Sequence, residues 1–484
     1  MTQNNESSRD ALWRQQLRDS KPARERTSTP RVKMTELPAD YRVRCNEEVN
    51  CGLTPEQAAV ESTRCLDCPD PQCVTGCPVG IDIPGFIKNV ERGDLSEAIT
   101  VIRRTSALPA VCGRVCPQEK QCESRCIYNK MKRQPVAIGY LERFVADNAP
   151  AVATEVSAQQ GPRVAVAGSG PAGLSFAGDM VRNGYRVTVF EALHEIGGVL
   201  KYGIPEFRLP NSIVEREIDS LRAQGVEFVK DCIIGKTLSF DDLREQGFKA
   251  LFVASGAGLP RFMGIPGENC IGVLSCNEYL TRVNLMGAGQ ENHDTPVWHG
   301  RRVAVIGGGN TAMDAVRMAR RMGAERAMVV YRRSEEEMPA RIEEIKHAKE
   351  EGVEFLTLHN PVEYLSDERG HITAMRLQKM QLGEPDESGR RSPVPIEGAI
   401  EEVPVDMVVV SVGVSPNPLI PQAIDGLEVS RRGTIVVDDS TMCSSIPSIY
   451  AGGDIVRGGA TVILAMGDGR RAAAAVHEML ICGM

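Results

Sequence analysis

Eight cysteines carry the densest chemistry in this chain. They form two runs, Cys65-x2-Cys68-x4-Cys73-x3-Cys77-Pro78 and Cys112-x3-Cys116-x5-Cys122-x3-Cys126. A thiol every three to six residues suits the thiolate ligation of iron–sulfur clusters, and the first run is like the ferredoxin pattern that ends in Cys-Pro, with a longer middle gap. In such runs the fourth cysteine often serves the other cluster. Zinc is the rival, but closed four-cysteine zinc sites usually pair two short knuckles. Disulfides rank lower, because a reducing compartment keeps thiols free. Of the 15 cysteines, ten lie at or before Cys126. Cys45 and Cys51 fit neither run, and Cys232, Cys270, Cys276, Cys443 and Cys482 read as packing residues.

The second chemistry is dinucleotide binding. Gly168-Ser169-Gly170-Pro171-Ala172-Gly173 follows a β-branched run, Val164–Ala167. The first glycine makes the tight turn, the second admits a pyrophosphate to the backbone, and the third lets helix and strand pack closely. The helix N-terminus then offers amide donors to phosphate. The next expected strand, Arg186–Phe190, ends at Glu191, an acid placed to accept hydrogen bonds from ribose hydroxyls. A second unit repeats the pattern: strand Arg302–Ile306, then Gly307-Gly308-Gly309-Asn310-Thr311-Ala312, then strand Ala327–Tyr331. Here the acid position holds Arg332-Arg333, which would pair with a 2′-phosphate and favours NADPH over NADH. The alternative is two solvated surface arginines. The glycine motif alone does not separate FAD from NAD.

These sites need elements to hold them. The segment 81–104 has helical periodicity (Ile83, Phe86 and Ile87, then Leu95, Ala98, Ile99 and Ile102), and 139–148 reads as another helix. Residues 1–30 are polar and read as a disordered or loosely docked arm; 149–163 reads as a linker. The fold class expected is α/β: two Rossmann-like dinucleotide-binding domains, one inserted in the other, preceded by a mostly helical iron–sulfur domain. The expected boundaries are 1–150 for the helical domain, 160–298 with 430–484 for the FAD domain, and 299–429 for the NADPH domain.

Composition sets the bounds. The chain has 484 residues, 42% hydrophobic and 25% charged, which suits two or three domains with proper cores. The net charge of -8 argues against nucleic acid as a partner. No apolar run is long enough to span a bilayer, and the first thirty residues have no signal-peptide core, so a soluble cytoplasmic protein with no membrane association is expected.

The stretches LPAVCGRVCPQEKQCESRC, GGGNTAMDAVRMARRMGA, VVYRRSEEEMPA and IYAGGDIVRG give the chain, from about residue 40 onward, a resemblance to the small subunit of bacterial NADPH-dependent glutamate synthase. The N-terminal region also resembles dihydropyrimidine dehydrogenase. CPVGIDIPGFIK, GNTAMDA and GATVILAMGDGRRAA are similar to the large subunit of the electron-bifurcating NADH-dependent ferredoxin:NADP oxidoreductase. The resemblance implies FAD, NADPH and two [4Fe–4S] clusters with interleaved ligands. One cluster would take Cys65, Cys68, Cys73 and Cys126. The other would take Cys77, Cys116, Cys122 and Glu142, with Cys112 as the rival for the last place. It also implies flavin contacts at Gly198, Leu200, Arg208, Gly453, Asp454 and Val462, and a nicotinamide-side loop at Ser411-Val412-Gly413.

Hydride would pass directly between the two cofactors, so no catalytic triad is expected, and the seven histidines form no motif. The chain begins Met-Thr and has no room for the amidotransferase and barrel of a complete glutamate synthase. A partner is therefore expected, either the glutamate synthase large subunit or a small flavin/[2Fe–2S] subunit with ferredoxin. A non-catalytic scaffold is the remaining class, and the intact glycine motifs argue against it.

Overall fold

The computed structural model describes residues 8–150, 159–290, 293–387 and 389–483. The first part, to Asn148, is helical. Ile83–Glu91 starts where the Asp82 carboxylate accepts the Gly85 N–H at 3.0 Å, with Pro84 in the first turn. Leu95–Arg103 starts at Asp94, which caps Glu97 N–H at 2.9 Å. Both are cap geometries that satisfy otherwise orphaned amides. Their apolar faces (Phe86, Ile87, Ile99, Ile102) meet Ile138–Asn148 and Pro109–Val115 in one buried cluster.

The arm is docked, contrary to the loose segment expected. Leu12–Ser20 lies on the helical region because Arg14 and Arg18 both pair with the fully buried Asp67 carboxylate. Arg26 reaches Glu91 at 2.8 Å, and the Arg92 guanidinium stacks 4.1 Å from the Trp13 ring. A polar composition hid this, because the contacts are ionic and distant in sequence. Residues 1–7, and 151–158 of the expected linker, lie outside the described residues.

Two five-stranded parallel sheets follow. In the first, Ile449–Ala451, Phe248–Val253, Arg163–Ala167, Arg186–Phe190 and Glu227–Val229 lie side by side in that order. In the second the order is Val273–Ser275, Met407–Val410, Arg302–Ile306, Arg326–Tyr331, Glu354–Thr357. Near-continuous apolar strands are what a sheet covered on both faces requires. A three-stranded antiparallel sheet (His359–Ser366, Ile372–Pro385, Arg391–Pro404) lays Tyr364, Met375 and Leu377 on one face of the second sheet.

The second unit is inserted between strands of the first, as its glycine repeat implied, but the crossings fall elsewhere. Val273–Ser275 pairs with Met407–Val410, so this stretch belongs to the second sheet and not to 160–298. Ile420, Ile424 and Leu427 pack with the first sheet's core, ahead of the expected return at 430. The two crossing segments meet as a short antiparallel ribbon, Leu259–Pro260 with Val414–Ser415. Such a ribbon has no sequence signature, because it is two residues long on each side.

Candidate functional site

A cleft of about 1530 Å³ runs between the two parallel sheets, with both glycine loops on its walls. It opens at the carboxyl ends of the strands, where doubly wound sheets hold ligands.

In the first loop, Gly168 has φ +108°, and a Cβ there would lie 2.4 Å from the Ala254 carbonyl oxygen. Gly173 lies as tightly, 2.1 Å by the same measure from the Gly168 carbonyl. Gly170, by contrast, has open space where a side chain would be, which is the room a pyrophosphate needs. Pro171–Arg182 starts immediately after it, with Pro171 in the first turn and Ala172 buried at the helix–strand contact. Glu191 is largely committed within the protein: it accepts from Ser169 N at 2.9 Å, Ser169 Oγ at 2.5 Å and Leu193 N at 2.9 Å. It lines the cleft while bracing the loop.

Gly198 also lies against this loop, at φ +55°, with its virtual Cβ 3.0 Å from the Gly170 Cα. Leu200 does not reach the cleft. Its side chain is fully buried in the core, and Val199 and Tyr202 face the cleft instead, because residues three apart share one face of a helical turn. Arg208 lines the cleft but is tied across it, donating to Asp314 Oδ2 at 2.8 Å and lying 3.4 Å from Glu344. Burial pushes the Asp314 carboxyl above the usual carboxylate range.

At the far end, Gly453 (φ +76°) and Asp454 lie on the wall, and burial raises Asp454 to about 6. Val462 opens the long helix Val462–Cys482, with Thr461 capping Leu464 N–H at 3.3 Å. Sequence reading missed Asp468. This buried carboxylate accepts Gly453 N at 3.0 Å and binds Arg457 and Arg471, and so shapes the turn that presents Asp454.

The second loop repeats the first. Gly307 has φ +141° with a virtual Cβ 2.2 Å from the Ser411 carbonyl, and Gly309 faces open space. Asn310 Oδ1 accepts Arg341 N at 2.8 Å, Thr311 faces the cleft, and Ala312 is buried in the helix packing. Gly413 lines the cleft at φ +110°. The two arginines differ. Arg332 is exposed and makes no hydrogen bond or ion pair among the described residues. Arg333 is buried, donating to Asp386 at 2.5 Å and to the Arg391 carbonyl at 2.8 Å. Asp386 lies on the antiparallel hairpin, too far along the chain for the motif to reveal the pairing.

The cysteines gather in two groups. Burial and the neighbouring thiols of Cys65, Cys126 and Cys68 push Cys73 upward. Cys77 is raised to about 11 by burial and by nearby Glu142 and Cys116. Cys122 is raised by burial, Glu123, Glu142, Cys77 and Cys116. Cys126 thus lies near Cys68 and Cys73, and Cys77 near Cys116 and Cys122. Among the described residues, the only trio of ligand atoms all within 4.8 Å of one another is Glu36, His347 and Glu350. The Glu36 trio is already neutralised, with Glu36 on Lys346 at 3.0 Å and Glu350 on Arg42 at 2.7 Å.

Glu142 is buried beside Cys77, Cys116 and Cys122, raised to about 8 by burial, and its Oε1 has no hydrogen-bond partner. An orphaned buried carboxylate oxygen is costly unless something binds it. Cys112 lies in the same group, its thiol beside Cys116, Glu142 and Cys77, with its Sγ 3.4 Å from Met466 Sδ on the long helix. The later group adjoins the cleft: Val115, next to Cys116, lines its wall, and Pro78 O lies 3.0 Å from the virtual Cβ of Gly467.

Residues 162–469 match the pyridine nucleotide-disulphide oxidoreductase family, and 42–154 match the 4Fe-4S cluster domain II of dihydropyrimidine dehydrogenase. Fold and site thus define an NAD(P)H-dependent flavoprotein oxidoreductase with an iron–sulfur domain ahead of it. Over 454 residues the chain is 37% identical to the glutamate synthase [NADPH] small chain of Halomonas elongata, covering 92% of this chain and 95% of that one. It belongs to that small-chain family of electron-transfer oxidoreductases. It is also 38% identical to the NADP(+)-dependent formate dehydrogenase subunit beta of Moorella thermoacetica, over 84% of this chain and 60% of that one. Among solved structures, FprA of Mycobacterium tuberculosis in complex with NADPH shares the fold at 20% identity and TM-score 0.55, over 66% of this chain and 85% of that one.

Proposed function

We propose that the chain is the electron-input subunit of a larger oxidoreductase, taking reducing equivalents from NADPH and delivering them to a partner, with the large subunit of glutamate synthase as that partner. The first loop would hold FAD and the second NADPH. Cys65, Cys68, Cys73 and Cys126 would bind one [4Fe–4S] cluster, and Cys77, Cys116, Cys122 and Glu142 the other. When bound, these groups supply hydride transfer from nicotinamide to flavin and one-electron transfer through iron–sulfur centres.

The observation that carries the reading is the shared cleft: two phosphate-sized loop openings face it, and one wall, at Val115, backs onto the later cysteine group. The chain's own work is positional. Gly170 and Gly309 leave space for phosphates at helix N-termini. Arg332, with no internal partner, is available to a 2′-phosphate; Arg333, committed to Asp386, supports the hairpin beside it. Asp454 offers a carboxylate to sugar hydroxyls. Val115 keeps water out of the wall between cleft and thiols. The side chain of Leu200 has no cofactor role in this reading.

Anaerobic stopped-flow spectra of the purified protein test it. NADPH should bleach the flavin quickly and NADH slowly, with about eight irons per chain for two four-iron clusters and no turnover of glutamine plus 2-oxoglutarate without a partner. Equal bleaching by NADH would overturn the role of Arg332, and about four irons would overturn the second cluster. Co-purification with a small flavin/[2Fe–2S] subunit in place of a large amidotransferase would replace the partner named here.

A further inference from the structure

One short stretch of the second unit, 339–343, is hydrogen-bonded both to the second glycine loop and to the segment that carries Cys116. On the nucleotide side, Ala340 N donates to the Gly308 carbonyl at 3.2 Å, and Arg341 N donates to Asn310 Oδ1 at 2.8 Å. Gly308 and Asn310 both line the cleft, and Asn310 is the first residue of the helix that follows the loop.

The thiol side is bonded more densely. The Arg341 guanidinium is buried and donates to the Arg114 carbonyl at 2.8 Å and to Gln118 Oε1 at 2.9 Å. It therefore grips the chain two residues before and two residues after Cys116, close enough for its charge to favour the Cys116 thiolate. Gln118 in turn packs on the helix that carries Glu142: a Cβ on Gly139 would lie 2.2 Å from Gln118 Nε2. Lys120 Nζ donates to the carbonyls of Pro339 at 2.8 Å and Ala340 at 3.1 Å, and Ile342 N donates to Glu119 Oε1 at 3.3 Å. Two acids share the Arg341 charge, Glu343 at 3.1 Å and Glu119 at 3.9 Å. The partners on the two sides are more than two hundred positions apart in the chain.

We propose that 339–343 is a strap that couples the second nucleotide loop to the later thiol group, with Arg341 as its positioning residue: filling the loop fixes Asn310 and, through the strap, the guanidinium beside Cys116. The inference rests on the reading above, in which the second loop holds NADPH and Cys77, Cys116, Cys122 and Glu142 hold a cluster. A cation beside a cluster favours its reduced, more negative state, so fixing Arg341 there raises the midpoint potential. Coupling of this kind is reciprocal: a nucleotide that shifts the potential also binds the oxidised and reduced protein with different affinities.

The test uses the full-length holoprotein and 2′-phospho-ADP-ribose, which has the phosphates of NADPH and no nicotinamide to exchange hydride. Anaerobic redox titrations followed by electron paramagnetic resonance read the potential of each cluster with and without it, and calorimetry confirms saturation. In the native protein it should raise the potential of one cluster and leave the other unmoved. Arg341→Gln should lower that cluster's potential before nucleotide is added and cancel the shift. Arg341→Lys keeps the charge without the two-pronged grip, so it should hold the nucleotide-free potential near native and still lose most of the shift. Lys120→Gln removes only an exposed clamp on the strap, and should give a shift smaller than native. If Arg341→Gln fails to fold, Lys120→Gln alone decides. A native potential unmoved at saturation, or a shift as large as native in every variant that folds, would overturn the strap. Iron content and flavin bleaching by NADPH, read on the same samples, tell the two readings apart. With about eight irons and normal bleaching, a missing shift strikes the strap alone; without them the reading above falls and takes the strap with it.

Discussion

The two glycine loops are nearly superposable in logic and differ in how the rest of the molecule holds them. Each starts with a glycine at positive φ pressed against a carbonyl, Ala254 for Gly168 and Ser411 for Gly307, and each leaves a second glycine facing open space. The helix after the first loop is held by close backbone contact: a Cβ on Gly469 of the long helix would lie 2.3 Å from the Ala172 carbonyl. The helix after the second, Asn310–Arg321, is held by charge. Arg317 and Arg321 both bind the buried Glu351, which Arg42 of the helical region also reaches at 2.9 Å, and the Phe207 ring lies under both guanidinium groups. The motif sets the loop, and the surroundings decide what anchors it and which ligand it suits.

The largest expected effect separates the loops outright. Gly168→Ala places a Cβ on a carbonyl at a φ that L-residues avoid, and the purified protein should lose its flavin colour. Gly307→Ala should keep the flavin spectrum but lose its reduction by NADPH. Colour retained in the first variant would break the assignment of FAD to that loop.

Next comes the ionic anchor. Glu351→Ala leaves Arg42, Arg317 and Arg321 short of their shared carboxylate, so chemical denaturation should show a loss of about 3–5 kcal/mol. If the second unit unfolds separately, the transition becomes biphasic. A loss below about 1 kcal/mol would mean that the charge network is not what holds this helix.

Arg332→Ala should raise the KM for NADPH roughly 10- to 100-fold, as expected for losing a charged hydrogen bond of about 1.5–3 kcal/mol, and leave NADH nearly unchanged. Arg333→Ala should affect both nucleotides equally through the hairpin, which makes the pair a check on which arginine reads the 2′-phosphate.

The smallest effect is a pH dependence. Asp454 is raised to about 6 by burial, so its folded-state pKa lies above the unfolded one. Such a group favours folding below about pH 4, and this contribution is lost as pH rises through about 6. In flavin-free protein, Asp454→Asn should therefore gain on the order of 1 kcal/mol relative to native at pH 8 but not at pH 4, seen as a larger melting-temperature gain at the higher pH. The same variant should hold flavin less tightly.

Much of this was legible in the linear chain because strand–turn–helix units and closely spaced thiols are local. Glycine spacing alone places the turns, and the nature of positions 332 and 333 marks where a 2′-phosphate would meet charge. What the chain could not show was which neighbours those residues meet. Arg333 looks identical to Arg332 until Asp386, more than fifty residues on, folds back to claim it. Leu200 looks like a cleft residue until the helical turn rotates it into the core. Glu191 looks free for ribose until Ser169 closes on it. The arm looks loose because Asp67, the carboxylate that binds it, is more than forty residues away. The sequence by itself determined the local turns, the dinucleotide motifs and the supply of thiols. Tertiary structure alone decided which thiols share a cage, which arginine remains available and which carboxylate is left without a partner. Each of those is set by desolvation and by pairing between groups far apart in the chain.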